Sequence, residues 1–243
     1  MQGRVDEGLS WLTTTRRDWC EKNSLAVHNH WHMALMHLSR GDEVPALAMY
    51  DAAVAPAAQA LALDFVDASA LLWRLTLAGV PVQGRWAALA ARWRAQSTLG
   101  AIAFNDVHAM MAMVGAGDAD GAAEVAAAIE TAAAQSEVPA WRAVALPFSR
   151  ALQAFGAGRH ASCAQLVLPL LSASHPLGGS HAQRDILRLT AAEAARLAGD
   201  EAMAQALMAQ RQAQKQRGAT SAPATATAPA TAPTARRDEH AHA

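Results

Sequence analysis

The chain has 243 residues, with 20 Lys and Arg against 21 Asp and Glu for a formal net charge of −1. A balance so near neutrality supplies no field to draw the protein onto nucleic acid or an anionic membrane surface, so neither partner is expected. Hydrophobic residues make up 52% and aromatic residues 5%, and the dominance of Ala, Leu and Met, all good helix formers, points to an all-α chain able to bury a substantial core.

No stretch approaches the 18 or so uninterrupted apolar residues of a membrane span. The opening residues carry an early acidic pair where a secretory signal would have a basic segment and an apolar run. Cys20 and Cys163 are far apart and lack metal-ligand spacing. A cytoplasmic chain with reduced thiols is expected.

Glycines that read as turns recur at Gly3, Gly41, Gly79, Gly117, Gly158 and Gly199. Their spacings of 38, 38, 38, 41 and 41, with Asp or Arg following in five of the six cases, define a helix–turn–helix repeat. Glycine suits the left-handed position that ends a helix, and an acidic residue after it suits the start of the next.

The first helix is expected over about 5–19. Gly3 reads as a hairpin turn whose own first helix is absent, so this helix should expose Leu9, Leu12 and Trp19 where a partner belongs. An upstream segment or a second copy of the chain would cover them. The pairs that follow are read as about 25–40 with 43–55, 63–78 with 84–97, 101–115 with 119–135, 139–156 with 159–173, and 181–198 with 201–217. Pro81 should delay the second helix of its pair, and Pro147 and Pro169 should each kink a helix or end it early. Together these make a right-handed helix–turn–helix repeat stack, a TPR-like α-solenoid over 1–217, with one continuous core. Residues 218–243, rich in Ala, Thr and Pro, read as a disordered tail.

A polar stripe crosses the first helices of three successive repeats. Twelve residues before the turn glycine stand Asn29, Asp67 and Asn105; nine before, His32, Ala70 and His108; five before, Met36, Arg74 and Ala112. Separations of three, four and seven return to one face of a helix, and the neighbouring positions are mostly apolar. Two readings stand. The stripe is a mutual hydrogen-bond network that holds the repeats in register, or it lines a pocket or concave groove where His32, Asp67 and His108 act as acid and base. Asp67 should reach both histidines, and His32, Asp67, Asn105 and His108 should face one cavity.

His28 and His32, one helical turn apart, have the spacing of a two-histidine metal pair. Asn29 stands where a zincin would need Glu, and no third ligand is on the helix, so no metal is expected. In PLGGSHAQRDIL, residues 176–187, Ser180 and Gln183 form a capping box, while His181 and Arg184 add donors at a helix N-terminus suited to anions. No nucleotide-binding or nucleophile-elbow motif occurs, and no cofactor is expected.

HNHWHMALMHLSRGD with AMYD, then DASALLWRLTLAG, FNDVHAMMA and GGSHAQRD, are similar to the motifs of the tetratricopeptide repeat protein 38 family, in that family's order across about residues 1 to 215. The resemblance implies an α-helical repeat fold and no established reaction. It also implies that His32, Asp67, Arg74, Asn105, Asp106, His108, Gln183, Arg184 and Asp185 fall in shared motifs. Family members have further helices upstream, so the chain reads as the C-terminal portion of a longer protein. The functional expectation is a binding or scaffold module that takes a peptide, a protein or a small ligand on its concave face. The alternative is an enzyme or small-molecule-binding protein with a His/Asp/Asn/Arg pocket between repeats. An open groove would favour the first and a closed pocket the second.

Overall fold

The computed structural model describes residues 4–21, 23–55, 61–96 and 98–220. The turn at Gly3 and the tail from residue 221 onward lie outside the described residues. Among the described residues the chain is all helix. The helices are α1 (Val5–Thr14), α2 (Arg16–Trp19), α3 (Ala26–Arg40), α4 (Glu43–Met49), α5 (Ala62–Leu77), α6 (Gln83–Arg94), α7 (Ala103–Ala116), α8 (Ala119–Gln135), α9 (Leu146–Gly156), α10 (His160–Val167), α11 (Leu170–Ala173), α12 (His181–Leu197) and α13 (Glu201–Thr220). None is long and apolar enough to cross a membrane.

The turn glycines set this pattern. Gly41, Gly79, Gly117, Gly158 and Gly199 all have φ between 68° and 84°, where a side chain would be strained. In each case the next residue donates its N–H back across the turn: Asp42 to His37 O, Val80 to Leu75 O, Asp118 to Met113 O, Arg159 to Ala154 O and Asp200 to Ala195 O, at 2.9–3.0 Å. This six-to-one bond satisfies a carbonyl that the helix end would otherwise orphan. The acid after the glycine then caps the next helix in two places. Asp118 Oδ1 accepts from the Gly121 N–H at 3.0 Å and Asp200 Oδ1 from the Met203 N–H at 2.9 Å. Asp42 instead faces Arg40, 3.2 Å away.

Both prolines act as their chemistry requires. Pro147 cannot donate to the carbonyl four residues back and its ring would collide with it, and the chain answers with a π-helical turn over Trp141–Ala145 immediately before α9. Pro169 separates α10 from α11.

The central element is α5, whose buried residues run without a break from Asp64 to Leu75. It packs against α3 on one side and α7 on the other, with α6 beside it. In addition α12 returns to lie on α5, while α13 packs on α12. Trp73 Nε1–H donates to Thr190 Oγ1 at 3.0 Å, a link across 117 positions of sequence. The side of α5 that a stack of neighbours alone would leave open is therefore covered by the chain itself.

The core forms two clusters instead of the single continuous one expected. The large one runs from α3 to α13, and a small one joins Leu9, Leu12 and Trp19 to Met33 of α3, with Met49 packed against both. Leu9, Leu12 and Trp19 are not exposed as the sequence predicts but buried, at 8%, 6% and 5% exposure. The helix breaks at Thr15, Trp19 Nε1–H of α2 donates to Leu12 O at 3.0 Å, and α3 packs on α1. Trp11, at 63% exposed, is the large apolar side chain that α1 leaves in solvent.

Close helix contact at α7 depends on Gly115, where an added Cβ would run into the Trp86 ring. Trp86 is 2% exposed and tied through Nε1–H to Thr76 Oγ1 at 3.0 Å, so it has little room to withdraw. Gly115→Ala is expected to destabilise the fold by about 1–3 kcal/mol despite alanine's better helix propensity. Urea denaturation followed by circular dichroism measures it, and an unchanged or higher midpoint would refute the contact.

Candidate functional site

Asp67, Arg74 and His108 of the polar stripe are buried, Asn29, His32 and Asn105 are half-buried, and His28 joins them. His28 Nδ1–H of α3 donates to Asp67 Oδ2 of α5 at 2.8 Å. The Asp67 side chain is fully buried and that of His28 is 21% exposed. The hydrogen bond to Asp67 lifts the His28 pKa above its ordinary value, so the ring holds its proton to higher pH. Burial raises the Asp67 carboxyl, against the pull of His28.

The His28 ring stacks on Trp31 with centroids 5.2 Å apart and meets the edge of His32 at 4.6 Å. Burial, reinforced by His28 and Arg74, pushes His32 down to about 4. Asp67 was expected to bridge His32 and His108, but it hydrogen-bonds neither. His108 is 1% exposed, and its Nδ1–H donates to Phe104 O, one turn back on α7, at 2.7 Å. Burial pushes that imidazole down to about 4 as well.

Arg74 lies at the centre. It is 5% exposed, its guanidinium sits 5.6 Å from the centroid of the Trp31 ring, and its hydrogen bonds all go to backbone carbonyls. Nη1 donates to Ala70 O at 2.9 Å, and Nη2 to Ala182 O at 2.6 Å and Gln183 O at 3.5 Å. Burial lowers its pKa to about 10. Around it, Trp31 Nε1, Asp67 Oδ1 and His108 Nε2 are buried polar atoms without a hydrogen-bond partner among the described residues. Buried polar atoms are almost always satisfied, so three such atoms in the elements around one buried cation mark the region as unusual.

The remaining expected site residues have structural work. Asp106 accepts the Gly100 N–H at 2.7 Å and so fixes the turn that enters α7, with burial lifting its carboxyl to about 6. Asn105 is half-buried beside it. Ser180 and Gln183 form the capping box as read, with bonds of 2.8 and 3.2 Å. Arg184 turns back onto Gly178 O and Gly179 O, and His181 is exposed. Asp185 pairs with Arg211 of α13 at 2.6 Å.

A cavity of about 420 Å³ opens between α3, α4, α5, α12 and α13. Leu35, Leu38, Leu77, Leu189 and Met208 supply apolar walls, and Arg74 with the Asp185–Arg211 pair closes one part of it. The expected common cavity for His32, Asp67, Asn105 and His108 is not this one, because none of the four lines it. A more open groove on another face of the same C-terminal end of α5, beside Trp73, Pro81 and Phe155, also excludes them. Arg74 alone joins the stripe to the cavity. Among the described residues no group of three or more His, Cys, Asp and Glu is placed to hold a metal.

Arg211 and the apolar lining escaped the sequence reading. Arg211 belongs to a Gln- and Arg-rich helix that reads as a solvated face, and only the return of α12 and α13 to α5 gives it a role. The fold and site define an all-α protein with a buried polar centre and an adjoining, partly open cavity. No family model matches the chain, and no solved structure matches it.

Proposed function

We propose that this is a TPR-like helical-repeat protein of the tetratricopeptide repeat protein 38 type, a right-handed solenoid in architecture, that binds a small molecule inside the helical stack. Support for the repeat comes from the five left-handed glycines with one shared turn bond. The observation that carries the ligand reading is the cavity itself. Its volume of about 420 Å³ falls in the range of small-molecule sites, which are mostly apolar with a few placed polar groups. A peptide site would need an open groove along the helices, and α12 packs on α5. Neither His28 nor Asp67 lines the cavity, so the reading is of binding and assigns no reaction.

Ala192, on the cavity wall and 5% exposed, gives the test. A library of small organic compounds is screened by ligand-observed NMR against the wild type and Ala192→Phe, with Met208→Trp at the 41% exposed rim position as a variant that spares the core. Compounds that bind the wild type are expected to lose most of their signal in both. Binding that survives both substitutions, or a peptide library that binds while small molecules do not, would overturn the reading.

A further inference from the structure

The cavity lining holds one buried formal charge, Arg74, that no carboxylate contacts among the described residues. Arg74 lines it and is 5% exposed, yet every hydrogen bond of its guanidinium ends on a backbone carbonyl. The two carboxylates nearest in charge are already engaged. Asp67 accepts from His28, and Asp185 receives Arg211 through Nε at 2.9 and 2.8 Å and through Nη2 at 2.6 Å. A buried cation without a contacting anion is strongly disfavoured. Carbonyl dipoles explain how Arg74 ties α5 to the first turn of α12, but a neutral donor would tie them as well without the desolvated charge.

We propose that the cavity binds a monoanionic carboxylate with an apolar body, its carboxylate on Arg74 and its body against Leu35, Leu38, Leu77, Leu189 and Met208. This rests on the small-molecule reading above. Guanidinium is the donor whose planar fork matches a carboxylate. One uncompensated positive charge matches one negative charge. A phosphate dianion would need a second cation at the site; Arg211 is committed to Asp185 and Arg196 to Glu193, at 2.6 Å in each pair, and Lys215 is held on Ser39 at 3.4 Å. The rim adds Glu43 and Glu201, which repel a second negative charge.

The test is calorimetric titration of the full chain at pH 7 with decanoate, decanol and decylamine, each below its aggregation limit. Decanoate is expected to bind one per chain. Decanol should bind about 10- to 100-fold more weakly, the factor a charged hydrogen bond carries, and decylamine more weakly than decanol. Met208→Trp, at an exposed rim position, should block decanoate. Arg74→Gln should remove the preference for decanoate over decanol while decanol still binds. If Arg74→Gln fails to fold by circular dichroism, the wild-type preference and its loss in Met208→Trp decide the matter. Equal binding of decanoate and decanol, both blocked by Met208→Trp, would overturn the carboxylate assignment and leave the cavity as an apolar site. Decanoate binding that Met208→Trp leaves intact, or no binding of any probe, would overturn the assignment together with the cavity reading for this ligand class.

Discussion

Trp73→Ala is expected to lower the stability of the fold by about 3–5 kcal/mol, the range for deleting a large aromatic side chain from a packed core. Trp73 is 1% exposed on α5. Its ring meets Trp86 of α6 at 6.1 Å and Phe155 of α9 at 5.4 Å, and its Nε1–H donates to Thr190 of α12. One side chain thus holds four helices, and its removal leaves a cavity that rigid neighbours cannot fill. Thr190 also donates to Ile186 O at 2.8 Å, so Thr190→Val removes both bonds and leaves the buried Trp73 Nε1–H without its acceptor, at a cost of about 1–3 kcal/mol. Urea denaturation of both single variants and the double variant measures the coupling. If Trp73→Ala costs under 1 kcal/mol, α5 is not the central strut described here.

What the sequence carried and what it did not divides along the range of the interaction. The helical turns were legible because a left-handed glycine and its turn bonds involve half a dozen consecutive residues. The capping box of Ser180 and Gln183 was legible for the same reason. Polar residues at Asp67, Arg74 and His108 stood out against apolar neighbours, and all three are buried. Which of them would meet was not legible. His28 and His32 lie on one face of α3, and the rotation and shift of α3 against α5 choose between them, a property of packing that no local pattern encodes. The cavity was less legible still, because it exists only where α12 and α13 come back onto α5. The buried N-terminal cluster was misread for a related reason. The helix expected over 5–19 breaks at Thr15, and the break lets Trp19 cover the face it was expected to leave bare.

The stability lent by His108 should vanish between pH 6.5 and pH 4. Folded His108 has its pKa lowered from 6.5 to about 4, chiefly by burial, so the folded state holds the ring neutral while the unfolded chain takes up a proton below 6.5. Its contribution is fully present above pH 6.5 and falls as pH drops toward 4. The difference between those two values corresponds to roughly 3 kcal/mol. Asp106, whose folded carboxyl is raised to about 6, acts in the opposite sense over the same range, since the folded state then holds the extra proton. The acid slope of the wild type alone therefore mixes these two with His32, also lowered to about 4, and with the shifted His28, His30 and Asp67. A comparison with His108→Gln separates them, because the variant keeps a polar side chain at the site, cannot titrate, and leaves Asp106 in place. The stability of the wild type relative to His108→Gln, from urea midpoints at pH 7, 6, 5 and 4, should shrink by about 3 kcal/mol across the series. The His108 ring resonances in NMR should show no protonation above about pH 5, well below the range of a free histidine. A difference that stays constant with pH, or a ring that titrates near 6.5, would mean that His108 is solvated and that the buried polar centre around Arg74 is open to water.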